Sequence, residues 1–259
     1  MKLLLTALFL AFLCISSSFP QETDVTIYFF ERMPFGGQVN KENKGILIEI
    51  TKKIFDNAQI SYHFELMPVA RIFEILKKSD ANVCFPGVFR NPERDKQYIF
   101  SDLPIYQDSA PHYVIRKKDE QYFSNINTIH ELLKTNKKVG LVEKFSYGIW
   151  VDDNIIKDKP NSVIVNIGDD QKSFYKMLLA NRFDYFFAST EEANYIIRSN
   201  PAFSNTLLLK KLIDAPEGNI RWIIFNKTFQ PELLERINRS IVSIKASEQY
   251  KIIIEQSKK

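Results

Sequence analysis

The sequence has almost no cysteine. Cys14 and Cys84 are its only two, and Cys14 lies in an apolar leader. With that leader removed, Cys84 stands alone, which excludes an intrachain disulfide and a metal site built on thiolates. Charge of one sign is missing too. The 35 Lys and Arg residues face 31 Asp and Glu, for a formal net charge of +4. The pairs Lys52-Lys53, Lys77-Lys78 and Lys137-Lys138 are dispersed along the chain. They read as solvated helix ends and loops rather than a nucleic-acid patch. No apolar run is long. The longest, Leu3 to Ile15, falls short of the roughly 20 residues that span a bilayer. Preceded by Met1-Lys2 and followed by Ser16-Ser17-Ser18, it reads as a cleaved export signal over residues 1–18. Internal repeats and low-complexity tracts are absent. What is present, 45% hydrophobic and 25% charged residues, describes a globular chain long enough for one large domain or two small ones.

The periodicities alternate. Val25 to Phe30 is β-branched and aromatic, a strand, and runs into the loop Glu31 to Gly37. Gly45 to Ala58 repeats Ile46, Ile50, Ile54 and Phe55 at helical spacing. Ser61 to Leu66 alternates as a strand. Val69 to Lys78 is a second helix, and Val83 to Phe85 a third strand. Strand, helix, strand, helix, strand with short connections predicts a parallel α/β layer. A Pro86-Gly87 break and a polar turn over Arg90–Asp95 follow. Pro111 to Arg116 is a strand beside an exposed joint. Thr128 to Asn136 is a helix, with Thr128 and Glu131 spaced as a capping box. Lys138 to Val142, Ser162 to Ile167 and Phe183 to Ala188 are strands of a second layer. Asp170 to Asn181 and Thr190 to Arg198, capped by Thr190, are its helices. Leu207 to Ile213 and Ile220 to Asn226 read as strands, and Pro231 to Ala246 and Ser247 to Glu255 as closing helices.

Chemistry-bearing residues are few and ambiguous. Cys84 in a short apolar strand reads as a small buried hydrophobe. A nucleophile would need His63, His112 or His130 beside it, and nothing in the sequence brings one there. Arg71 falls in the first turn of a helix, where a cation opposes the macrodipole, so it is either a surface residue or aimed at an acidic ligand. Arg94 is either a turn residue paired with Glu93 or Asp95 or a fork for a carboxylate. Ser146 follows a strand and precedes a helix. Such a turn offers free N–H groups and a hydroxyl to an anion, and Ser146 as a plain N-cap fits equally; the two roles can coexist.

The stretch from Asn82 to Lys118 carries a resemblance. Arg71, Asn82-Val83-Cys84, Pro86-Gly87, Pro92-Glu93-Arg94 and Phe100-Ser101 stand in the order found in the type II periplasmic solute-binding proteins. The chain is therefore identified as similar to the bacterial extracellular solute-binding protein family 3. The resemblance covers nearly the whole chain after the leader. It implies an α/β, periplasmic binding protein-like type II fold with two lobes joined by a two-strand hinge. Residues 19–114 with 221–259 would form the first lobe and 115–220 the second. It also implies a ligand cleft lined by Arg94, Arg71, Ser146, Glu31, Phe35, Phe85, Pro86, Gly87, Tyr147 and Ser189, with Phe35 equally readable as a loop residue tucked against the core.

The sequence departs from the amino-acid-binding members at two places. Pro86-Gly87-Val88-Phe89 carries no hydroxyl where they place serine or threonine. Ser189, with Glu191 and Glu192 just beyond, stands where they place an acid for the ligand ammonium. Phe85, Phe89, Phe145 and Tyr147 would instead line the cleft with rings. The function expected is capture of a small, anionic organic solute, an amino acid or related carboxylate, in the periplasm. The partners expected are that solute and an ABC permease or a sensor, with no nucleic acid, cofactor or metal, and a monomeric state. A degenerate sensing or accessory domain is the alternative. A dehydratase-like enzyme on the same fold, with Glu31 or Glu143 as general acid, is a third.

Overall fold

The computed structural model describes residues 24–143, 145–166 and 170–257; the expected leader, residues 1–18, lies outside them. The first part of the chain forms β1 (Val25–Phe29), β2 (Gly37–Val39), β3 (Glu42–Lys44), α1 (Ile46–Asn57), β4 (Tyr62–Leu66), α2 (Val69–Lys78), β5 (Val83–Phe89), α3 (Pro92–Gln97), β6 (Ile99–Phe100) and β7 (Tyr106–Gln107). The middle forms β8 (His112–Arg116), α4 (Ile129–Leu133), β9 (Val139–Val142), α5 (Ile149–Asp158), β10 (Ser162–Val165), α6 (Gln171–Leu179), β11 (Tyr185–Ala188), α7 (Thr190–Arg198), α8 (Pro201–Ser204) and β12 (Leu207–Lys211). Last come β13 (Ile220–Phe225), α9 (Pro231–Lys245) and α10 (Glu248–Ser257).

Two mixed sheets result. The first runs β4-β1-β5-β13-β6, with β7 also on β13; the second runs β10-β9-β11-β8-β12. In the first, β1 lies parallel to β4 and β5, and β13 returns antiparallel to β5. Both faces of β1 are buried, as parallel strands covered by helices on each side require. Ile50, Ile54 and Phe55 of α1 meet Ile237, Ile241 and Ile244 of α9 on one face. Ile72 and Leu76 of α2 pack with Phe85 on the other. The second sheet has the same sandwich. Leu132, Leu133 and Val151 cover one face, and Phe174, Tyr175, Leu178 and Ile196 the other.

The chain leaves the first sheet after β7 and returns to it at β13. These two crossings lie side by side, because the Asp108 N–H donates to the Asn219 carbonyl at 2.9 Å. Two α/β lobes joined by two adjacent segments leave a cleft between the sheets. Loops at the strand ends border it, where open α/β sheets place ligands.

Local reading and structure differ at four places near that cleft. The expected Pro86-Gly87 break is no break: β5 runs on to Phe89. Trp222 sits opposite Val88 and Ile223 opposite Pro86, so Gly87 is the extra residue of a bulge. A bulge is where a strand tolerates proline and glycine. Gly87 has φ +91°, and a Cβ there would run into Leu47 Cδ1. The polar turn over Arg90–Asp95 includes the first turn of α3. Pro92 begins the helix, and Asn91 Oδ1 caps it by accepting from Arg94 N at 2.8 Å. The cap of α7 is Ser189, not Thr190; the Thr190 hydroxyl donates instead to Ala110 O at 2.9 Å, tying α7 to the first crossing. The cap of α5 is Gly148, at φ +97°. The capping box of Thr128 and Glu131 is present as expected.

Candidate functional site

The cleft holds about 370 Å³ free of protein atoms, part of it open to solvent. From the first lobe it is bordered by Arg32, Phe89 and Arg221, and from the second by Ser146, Tyr147, Phe187 and Ser189. Asp108, Ser109 and Asn219 of the crossings close it behind.

Arg221 is a buried charge. It stands on β13, a strand otherwise apolar, and is 4% exposed. Its guanidinium lies between two rings, 3.9 Å from the Phe35 centroid and 4.7 Å from that of Phe89. Nη2 donates to Asp108 Oδ2 at 2.8 Å, Nε donates to Oδ1, and Nη1 donates to the Gly87 carbonyl at 3.1 Å. The bulge at Gly87 thus turns a strand carbonyl toward this arginine. Burial pushes the Asp108 carboxyl up to about 6, against the opposing pull of Arg221.

The first turn of α7 supplies two buried acids. Carboxylates there are favoured by the helix N-terminus. Glu191 Oε1 accepts from Ser109 N at 2.7 Å and from Tyr106 Oη at 3.1 Å, so it grips the first crossing. Glu192 reaches across the cleft. Arg32 Nε and Nη2 donate to its Oε2 at 2.9 and 2.7 Å. Arg32 also lies over the Phe145 ring, 4.5 Å from its centroid.

The turn after β9 carries the donors expected of an anion site, and the protein's own Asp152 occupies them. Ser146 Oγ donates to Asp152 Oδ2 at 2.6 Å and Tyr147 N donates to Oδ1 at 2.9 Å. Gly148 N donates to Ser146 Oγ at 3.2 Å. Burial raises the pKa of Asp152, while these two bonds hold it down. The expected opening for a ligand carboxylate is therefore filled from within.

The structure brings Ser146, Tyr147 and Ser189 to the cleft and spreads the other expected residues around it. Arg94 sits behind Phe89, donating from Nη1 to the Phe89 carbonyl at 2.7 Å, with its guanidinium over the Phe73 ring. The surface pair foreseen for it is made by Arg90, whose Nε donates to Asp95 Oδ1 at 2.7 Å. Burial lowers the Arg94 pKa, and Tyr98, Asp152 and Glu93 oppose that shift. Pro86 and Gly87 form the bulge beneath Arg221. Phe35, 1% exposed, and Phe85, 4% exposed, are core residues, Phe35 serving as the floor under Arg221. Glu31 folds onto its own loop and accepts from Gln38 N at 3.0 Å. Arg71 is exposed on α2, and Glu143 is exposed beyond β9. Cys84 is fully buried, which pushes its thiol pKa far up.

Arg32, Asp108, Asn219 and Arg221 were not foreseen. One signal was available: an arginine inside the apolar run Ile220 to Phe225 demands a buried partner. Nothing local pointed from Arg32 to Glu192, 160 residues away.

Known proteins share this architecture. A structure of an ancestral arginine-binding protein bound to arginine superposes with a TM-score of 0.71 at 21% identity, covering 90% of this chain and 97% of that one. The VFT2 domain of Bordetella pertussis BvgS gives a TM-score of 0.71 at 16% identity, covering 90% and 93%. The ABC transporter arginine-binding protein 1 of Escherichia coli (strain K12) is 25% identical over 217 residues, 84% of this chain and 82% of that protein. The family model of the bacterial extracellular solute-binding proteins, family 3, matches residues 30–257. With the fold, the cleft and that match in agreement, the chain belongs to the bacterial extracellular solute-binding proteins of family 3.

Proposed function

We propose that this protein is an exported receptor that closes two lobes on a small amino-acid-like solute and delivers it to an ABC importer. One observation carries the reading: the charges bordering the cleft cancel within the protein. Among the described residues lining it, Arg221 is matched by Asp108 and Arg32 by Glu192. A balanced, hydrogen-bonding cleft suits a zwitterion or a polar neutral solute. The expectation of a net negative solute loses its main support, since Asp152 holds the donors of the anion turn.

In this reading the chain passes between the lobes after β7 and before β13, and the whole of β8, including residues 112–114 that the sequence assigned to the first lobe, counts with the second. Ser189 and Asn219 offer hydrogen bonds, Ser146 and Tyr147 border the cleft with their donors held by Asp152, and Phe89 and Phe187 form the walls. Arg94 acts from behind, attracted to Asp152 across the cleft. Closure is read by the permease through differential affinity for the closed state. Arginine- and glutamine-bound ancestral structures of the same fold support an amino acid as the solute class.

Titration calorimetry and thermal unfolding against the standard amino acids and small peptides test this. A solute at about 100 times its Kd adds about 2.7 kcal/mol of stability, or about 5–11 °C in Tm for a chain of this size. A response to one amino-acid class is the expected outcome. No response to any amino acid or peptide overturns the reading and favours a domain that binds a partner protein instead.

A further inference from the structure

Arg32, Tyr147 and Phe187 border a second space as well as the cleft. This space runs from the cleft into the second lobe, between β9, α6 and β11, and holds about 360 Å³ free of protein atoms, part of it open. Its walls are largely apolar, with Phe145, Phe174 and Phe186 prominent. Two features make it more than a packing gap. Tyr175 lines it, is 1% exposed, and has a buried hydroxyl with no hydrogen-bond partner among the described residues. An unpartnered buried hydroxyl is costly, and native structures rarely keep one without a reason. Beside it, both oxygens of Glu192 are engaged: Oε2 by Arg32, and Oε1 by Gln171 Nε2 at 3.0 Å.

We infer that this space is a subsite for the side arm of the solute, and that the Arg32–Glu192 pair selects arms that are uncharged and end in a hydrogen-bonding group. The inference rests on the solute-binding reading given above. An amide or hydroxyl tip satisfies Tyr175 Oη and leaves the ion pair intact. A cationic tip meets Arg32 while the charge of Glu192 is already neutralised by that arginine. An anionic tip meets Glu192 while Arg32 is already committed. The pair is 16% and 10% exposed at its two side chains, so solvent screens either repulsion weakly. Specificity built on such repulsion rejects competitors without adding affinity for the right solute. Arg32 comes from the first lobe and Glu192 from the second, so the selection is imposed as the lobes close.

Calorimetry with the standard amino acids, on the wild type and on Arg32→Gln, Glu192→Gln and Tyr175→Phe, decides the matter. The wild type binds an uncharged amino acid, with glutamine the reference probe, at least about tenfold more tightly than arginine or glutamate. Arg32→Gln frees Glu192 and raises arginine relative to glutamine by about tenfold or more, and Glu192→Gln does the same for glutamate. Tyr175→Phe weakens glutamine by about two- to tenfold. Far-UV dichroism and the unfolding midpoint establish that each variant is folded, and either charge variant alone tests its own sign. A wild type that prefers arginine or glutamate overturns the inference. So do charge variants that move all three probes equally. Either result leaves the receptor reading standing, whereas a wild type that binds no amino acid removes both.

Discussion

Replacing Asp152 by alanine tests the claim that the protein fills its own anion turn. The carboxylate accepts from Ser146 Oγ at 2.6 Å and Tyr147 N at 2.9 Å. A hydrogen bond to a charged acceptor contributes about 1.5–3 kcal/mol, so two set a ceiling of about 6 kcal/mol. The turn is half-buried, and water re-satisfies part of the donors. The expected loss is therefore about 2–3 kcal/mol, or about 4–12 °C in Tm for a chain of this size. Asp152→Asn behaves differently. Burial already raises the Asp152 pKa, so the neutral form is tolerated there. The amide oxygen still accepts from Tyr147 N, and the Ser146 hydroxyl can rotate to accept from the amide nitrogen. Its expected cost is below about 1 kcal/mol. Urea unfolding of the three proteins at pH 7 measures both numbers. Adding acetate to Asp152→Ala recovers part of the loss, because an anion refills the vacated acceptor position at the helix start. A loss below 1 kcal/mol for Asp152→Ala, or equal losses for alanine and asparagine, would refute the reasoning.

Three further outcomes follow from other sites. Burial pushes the Asp108 carboxyl from its usual 3.8 up to about 6, so its stabilising contribution is full below the unfolded value and is lost as pH rises through about 6. The wild type therefore gains stability relative to Asp108→Asn between pH 7 and pH 4, by about 3 kcal/mol at most, and a flat difference across that range in urea titrations would argue against a perturbed carboxyl. Gly87→Ala places a side chain at φ +91° against Leu47, and thermal unfolding should show a loss of at least about 1–2 kcal/mol from the backbone alone. Pairing it with Leu47→Ala removes the clash but keeps the backbone cost, so the glycine effect should persist against the Leu47→Ala background. Cys84, fully buried, should resist a thiol reagent in the native protein and react once the chain is unfolded; rapid native labelling would contradict its placement in the first sheet.

The polarity pattern of the chain determined its architecture. Apolar residues at helical spacing in α1, α2 and α9, β-branched residues in β1 and β9, and aromatic residues in β11 are local properties, and each element formed where its pattern stood. The capping box at Thr128 and Glu131 was legible for the same reason, since both partners lie within one turn. Resemblance in the stretch around Arg94 extended this to the family and the cleft. Other features depended on residues distant in sequence. Pro86-Gly87 looks like a strand end, yet the ladder from β13 carries β5 through it as a bulge. Phe35 fits a cleft or a core equally until Arg221 is seen lying on its ring. Arg94 fits a surface ion pair or a ligand fork, and Ser146 an N-cap or a ligand donor, and the sequence does not show that Arg94 donates to Phe89 O and Ser146 to Asp152. Arg32 and Glu192 carry no mutual signal at all, because a charge finds its partner through the closing of loops from opposite lobes. Sequence sets which residues must be buried and which must be satisfied; only the tertiary fold decides by whom, since hydrogen bonds and ion pairs act over a few ångströms of space and not along the chain.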